Sequence, residues 1–306
     1  MIMENIEITK QNGNIAFSEN QHVYWDVTDP SKKFTSVTTI IEKFGQPFDK
    51  EFWSAYKALQ ELLTPDAWAI EKKSLLASKK FDKALLQVHN ISENDFNRVQ
   101  QNILDSWAEE NRKSCERGTK IHADLENSFY KKKKNIDISK YQIGGVFECR
   151  KDYTDLDLEN AVYPEYLIHR ITPDGELCIA GQIDLLVKKG NHIIIGDWKT
   201  NKKIDTKSFF DGRTKSTIKM KFPLNNLDDC NYYHYALQLS TYAWMIQKLN
   251  SDFIIDDLVL VHFDHNDNMT VYHLPYLKTE VEKMLAFYKK ELKLEESARK
   301  RKRIEY

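Results

Sequence analysis

The 306-residue sequence predicts an α+β fold: a β-sheet flanked by helices, with a helical insertion near the N-terminus. Three observations carry this expectation. β-Prone runs fall in two separated stretches, residues 14–40 and 161–200, and return as a hairpin over 256–273. Residues 49–116, between the first two, hold nothing that reads as a strand and repeat their aromatic and aliphatic side chains at helical spacing. Two further helices, over 228–249 and 278–303, bracket the hairpin, and the second is long and highly charged.

Each element has a local reason. The first run alternates loosely through Asn14, Ala16 and Ser18 and resumes at Val23-Tyr-Trp-Asp-Val27. Ser36 is placed to cap a helix carrying Val37, Ile40, Ile41 and Phe44, which Gly45 ends. Asp49 is placed to cap a helix carrying Phe52, Trp53, Tyr56 and Leu59, which Pro65 breaks. Another helix passes through Trp68 and Leu75–Leu76, and a third starts at Ser92, where Ser92-x-x-Asp95 resembles a capping box. A short helix is expected over 119–130. The lysines 131–134 that follow it are either a solvated loop or a nucleic-acid contact. The hairpin over 256–273 turns near Asn266–Asn268, and Arg299 to Arg303 form a solvated basic tail.

Composition narrows the classes. Hydrophobic residues make up 41% and charged residues 30%, an ordinary globular mixture. With 45 Lys+Arg against 46 Asp+Glu the net charge is -1, so a nucleic acid would have to be held by a local basic surface. The opening MIMENIEITKQNGN lacks the basic flank and apolar run of a secretion signal, and no stretch reaches the roughly 18 to 20 apolar residues that span a bilayer. Cys115, Cys149, Cys178 and Cys230 are scattered, which argues against structural zinc or a disulfide framework. The expected setting is a reducing cytoplasm, with no membrane partner.

The informative stretch is Gly181 to Thr200. Two β-prone runs flank Gly190-Asn191, a dipeptide suited to a two-residue hairpin turn. Pairing symmetric about that turn sets Asp184 opposite Asp197, with Cβ atoms about 4.5–5.5 Å apart. Two carboxylates so placed repel, and a hard divalent ion such as Mg²⁺ is the natural compensation. Alternation puts Lys199 on the face of Asp197. A turn at Thr172-Pro-Asp-Gly175 would bring Glu165 opposite Gln182, so that one face holds Glu165, Gln182, Asp184, Asp197 and Lys199. Such a face could be an ordinary solvated one. Against that, Ile193–Ile195 reads as buried on both sides, and charges at the end of a buried strand are costly without a purpose. Two helices can close the site: His122 and Glu126 share a helical face beside Ile121 and Leu125, and Gln238 and Tyr242 share another.

Taken in order, these residues resemble the PD-(D/E)XK nuclease superfamily, in its RecB-like branch of phage exonucleases and the mitochondrial genome-maintenance exonuclease. The family pattern G-T-x-x-H-x-x-x-E, E, G-x-x-D, D-x-K, Q-x-x-x-Y reads here as Gly118-Thr119 with His122 and Glu126, then Glu165, Gly181 with Asp184, Asp197 with Lys199, and Gln238 with Tyr242. The resemblance covers roughly residues 20–275. It implies a restriction-endonuclease-like central mixed sheet and hydrolysis of phosphodiester bonds in DNA, single-stranded or with free ends, with one or two Mg²⁺ or Mn²⁺ ions.

Carried over by position, Asp184 and Asp197 are implied metal ligands, helped by His122 and the Trp198 carbonyl. Lys199 orients or activates the attacking water and stabilises charge on the phosphate. Glu126 or Glu165 supplies a further acid, and Gln238 and Tyr242 position the lysine or the DNA backbone. Relatives with an iron–sulfur cluster carry a cysteine trio near the C-terminus; no cysteine follows Cys230, so no cluster is expected. The implied setting is phage or bacterial DNA replication, recombination or repair, in the cytoplasm of a bacterial or phage-infected cell, beside proteins of those processes.

The expected division is 1–48, a β/helix segment packing on the core; 49–117, a helical subdomain that could arch over the active site; 118–277, the nuclease core; and 278–306, a charged helix. In the second, Phe52, Trp53, Tyr56, Trp68 and Trp107 either stack on unpaired bases or fill the subdomain's own core. A structure-specific or nicking endonuclease, and a non-catalytic DNA-binding protein on the same fold, are the alternatives.

Overall fold

A computed structural model describes residues 6–29, 31–151, 158–211 and 215–304. The chain divides into two compact units. Residues 47–119, with 211–216, form the helical one, holding α2 (Lys50–Leu62), α3 (Pro65–Ser78), α4 (Ala84–Val88) and the N-terminal part of α5 (Glu93–Lys132). Asp49 caps α2 by accepting from Phe52 N at 2.9 Å, as its position predicts. Pro65 then opens α3, with Thr64 as its cap, because a missing N–H costs nothing in a first turn. Phe52, Tyr56, Leu59, Leu75, Leu86, Phe96 and Val99 build this unit's core, with Trp53 and Trp68 packed against it. Four of the five aromatics singled out above therefore serve that core. Trp107 is half-buried and meets exposed Phe48 edge to face.

The expected break before residue 119 does not exist. α5 is one 40-residue helix that runs through Gly118 and ends at Lys132. A single glycine costs a helix only about 1 kcal/mol, and no proline stops the chain there.

The other unit is built on a mixed sheet flanked by helices. Its strands are β1 (Lys10–Asn12), β2 (Ile15–Ser18), β3 (Val23–Asp26), β4 (Lys33–Ser36), β7 (Ala161–Ile171), β8 (Cys178–Lys189), β9 (His192–Lys199), β12 (Ile254–Phe263) and β13 (Met269–His273). A short pair, β5 (Ile136–Asp137) with β6 (Val146–Phe147), stands apart from it, and the residues of β10 (Phe210–Asp211) and β11 (Ser216–Thr217) are divided between the two units. Ser36 accepts from Thr39 N at 3.1 Å and caps α1 (Val37–Phe44), whose Val37, Ile40, Ile41 and Phe44 are buried. With α6 (Asn231–Leu249) and α7 (Lys278–Ile304), α1 covers one layer of the core through Leu237, Ala243, Ile246, Met284 and Leu285. A second layer gathers Phe129 of α5 with Ile136, Tyr141, Leu185, Val187, Trp198 and Val259. Arg299 is exposed near the end of α7, and the side chains of Lys302 and Arg303 lie outside the described residues. Among the described residues no helix is long and apolar enough to cross a membrane.

β8 organises the sheet. One edge pairs with β7 along nearly its whole length. The other edge is shared: β4 joins it in parallel at Ile179 and Ala180, and β9 joins it antiparallel from Leu185 to Lys189. Gly190, at φ +61°, makes the β8–β9 turn, and the register Leu185↔Gly196 to Lys189↔His192 is symmetric about Gly190-Asn191 as expected. That ladder stops one pair short of Asp184 and Asp197, so residues 181–184 lie at a fork between β4 and β9.

The β7–β8 register corrects another expectation. Gln182 faces Leu167, not Glu165. The turn bond Gly175 N→Thr172 O forms at 2.7 Å, but Gly175 (φ +70°) and Glu176 precede the closing pair, in which Thr172 N bonds Leu177 O. The ladder is thereby shifted by two residues, which preserves the face.

Candidate active site

The site forms at the fork. Glu165 sits in β7 with φ +53°, a left-handed conformation that costs a non-glycine residue about a kcal/mol or more. Strand alternation slips there in both chains: Tyr163 and Tyr166, three apart, face the same apolar layer, and so do Ile183 and Leu186. The jog takes Glu165 and Asp184 out of the regular ladder. Asp184 Oδ2 instead accepts Trp198 N at 2.7 Å, so the carboxylate bonds the strand that has splayed away.

Two groups of side chains result, where a single face was expected. In the first, His122 of α5 meets the jog, its Nδ1 lying 3.5 Å from Glu165 Oε1 and 3.6 Å from Asp184 Oδ2. His122 Nε2 lies 3.1 Å from the Trp198 carbonyl, which takes one of that oxygen's two lone pairs. A carbonyl can only accept, so Nε2 donates to it and the ring presents Nδ1 to the two carboxylates. Glu165 and Asp184 are each 7% exposed. Burial lifts Asp184 above the carboxylate range, His122 pulls it back and Glu165 adds to the rise. Burial opposes charge on His122, yet Asp184 and Glu165 outweigh it and hold the imidazole up at about 9. Without a metal, an imidazolium proton fills the space between the acids.

The second group faces α6. Asp197 Oδ1 accepts from Gln238 Nε2 at 3.2 Å, and Gln238 is 3.4 Å from the Tyr242 hydroxyl. Asp197 Oδ2 lies 2.6 Å from Lys199 Nζ. Burial pushes Asp197 up to about 6, against the pull of Lys199. Burial also works against charge on Lys199, but Asp197 and Asp184 hold it above the ordinary lysine range. Its ammonium lies 5.0 Å from the centre of the Tyr235 ring, a cation–π contact.

The atoms His122 Nδ1, Glu165 and Asp184 offer lie within 4.8 Å of one another, close enough for one small ion. Glu165 Oε1 is buried and makes no close hydrogen bond, its polar neighbour being His122 Nδ1 at 3.5 Å, so a hard oxygen is desolvated beside the histidine. One nitrogen and two carboxylates fit a divalent cation that retains water. Asp197 stands outside this trio, and Glu126 is also apart from it: Lys10 Nζ bridges Glu126 Oε1 at 3.3 Å and Glu165 Oε2 at 3.2 Å. Gln182 Nε2 donates to the same Glu165 Oε2.

Three participants escaped the sequence reading. Tyr235 precedes Gln238 by three residues on α6, a spacing that would have revealed it. Tyr24 of β3 is buried, and its phenol is raised by burial first and then by the charges of Glu165 and Asp184. Lys10 lies 116 residues from Glu126 and 155 from Glu165, in no motif, and left no signal to find.

Comparison with known proteins adds little. No protein-family profile matches the chain, and no curated protein matches it. Among solved structures it is similar to SSO0001, at 17% identity over 41% of this chain and 48% of that one, with a TM-score of 0.25. The chain thus spans about half of SSO0001. It is also similar to a protein from Eubacterium rectale provisionally described as an exonuclease, at 10% identity over 85% of this chain and 79% of that one, with a TM-score of 0.32.

Proposed function

We propose that this chain is a metal-dependent deoxyribonuclease of the PD-(D/E)XK type on a restriction-endonuclease-like sheet. Within that group it is read as a RecB-like exonuclease acting on single-stranded or end-containing DNA in phage or bacterial replication, recombination or repair. The observation that carries the reading is the trio of half-buried His122 with the buried carboxylates of Glu165 and Asp184, beside the Asp197–Lys199 pair at 2.6 Å.

His122 Nδ1, Glu165 and Asp184 would hold Mg²⁺ or Mn²⁺, and taking it up would release the imidazolium proton. A divalent ion there supplies an acidified water and neutralises charge on a phosphate. Lys199, whose charged form is favoured by Asp197 and Asp184, would orient that water and stabilise developing phosphate charge. Asp197 fixes the ammonium, and Gln238, bonded to Asp197, fixes the carboxylate from α6. These are the groups a hydrolytic attack on a phosphodiester requires.

The test gives purified protein with Mg²⁺ equal amounts of linear and covalently closed circular single-stranded DNA of one sequence. Loss of the linear form alone is the expected result. Comparable loss of both would make the protein an endonuclease. No loss of either would favour a non-catalytic DNA-binding protein.

A further inference from the structure

We infer that Lys10 is a resident cation that limits this site to one divalent ion, an inference that rests on the metal reading above. β1 is clipped in place, with Lys10 opposite Phe17 in the sheet and Asn12 Nδ2 donating to the Leu167 carbonyl at 2.9 Å. From that anchored strand the lysine reaches two acids on different elements, Glu126 of α5 and Glu165 of β7. The Glu165 carboxylate is therefore divided. Oε1 points to His122 Nδ1, while Oε2 is taken by Lys10 and by Gln182.

In two-metal hydrolases the ions stand about 3.5–4 Å apart, close enough for one carboxylate to bridge them. Glu165 is the group suited to that role, with Glu126 as the outer ligand of the second ion. Between those two acids the ammonium already stands, about 3 Å from each. It places a positive charge between the two acids, and it bars a second ion by occupying its ligands and by repulsion. Glu165 has a side chain only 6% exposed, so this is not one of the solvated surface pairs that contribute little. Lys10 is thus a positioning residue: it fixes which oxygen of Glu165 remains for the ion and holds Glu126 away from it.

Calorimetric titration with Mn²⁺ reads this without any cleavage. Wild type is expected to take up one ion per chain, and Lys10→Arg one. Lys10→Met is expected to take up two, and Lys10→Met with Glu126→Gln one again. Far-UV circular dichroism confirms that each variant is folded. Two ions in wild type would overturn the inference even if no Lys10 variant folds, and one ion in folded Lys10→Met would overturn it as well, while both outcomes leave the metal reading standing. No ion in wild type would overturn the metal reading, and this inference with it.

Discussion

Tyr242 occupies the space in front of Gly181 so completely that a Cβ at Gly181 would stand 2.4 Å from Tyr242 Cε1 and 2.9 Å from its hydroxyl. The contact ties the open edge of β8 to α6. Tyr242 also reaches Gln238, and Gln238 reaches Asp197, so a displaced ring would disturb the carboxylate that fixes Lys199.

Gly181→Ala should therefore destabilise the protein by about 1–3 kcal/mol, the usual result of overpacking. The sharper outcome is non-additivity. Gly181→Ala combined with Tyr242→Ala should lose less than the sum of the two single losses, measured by urea denaturation, because the clash vanishes with the ring. Simple additivity would place the strain elsewhere.

Lys199→Ala should bind DNA within about tenfold of wild type, roughly 1.4 kcal/mol. It should cleave at least about a hundredfold more slowly, the scale of a positioned charge. Single-turnover rates alongside fluorescence anisotropy separate the two effects. Equal losses would recast Lys199 as a phosphate anchor.

In the metal-free protein, Asp197 and His122 should each contribute less stability as pH rises. Asp197, at about 6 against an ordinary 3.8, and His122, at about 9 against 6.5, both bind protons more tightly when folded. Stability from such groups is complete below the unfolded values and is lost as pH climbs through the folded ones. The windows are thus about pH 4 to 6 for Asp197 and about 6.5 to 9 for His122. In the presence of a chelator, the stability advantage of wild type over His122→Gln should shrink between pH 6.5 and 9. An advantage that is constant or growing across that window would mean the imidazole is not held between the acids.

Much of this arrangement was legible because local chemistry dictates it. Gly190-Asn191 sets the β8–β9 register, Ser36 and Asp49 cap the helices they were expected to cap, and Val37, Ile40, Ile41 and Phe44 give α1 its buried stripe. What the pattern hid depends on departures from regularity. Alternation extended to the strand ends puts Asp184 and Asp197 in one ladder, whereas the ladder stops at Leu185↔Gly196. The left-handed Glu165 and the two extra turn residues at Gly175 and Glu176 have no signature that period-two reading detects. Lys10 enters only through tertiary packing.

The most direct test of the central claim is cleavage of a labelled linear DNA strand by wild type and Asp184→Asn across a Mn²⁺ titration, with a chelator as the zero point. The asparagine keeps the shape and an acceptor for Trp198 N–H but removes the charge. Wild-type cleavage should rise from zero with added metal, and the folded variant should be slower by about a hundredfold or more, a typical loss for a group that stabilises the transition state. Cleavage that persists in chelator, or a variant as fast as wild type at every Mn²⁺ concentration, would contradict it.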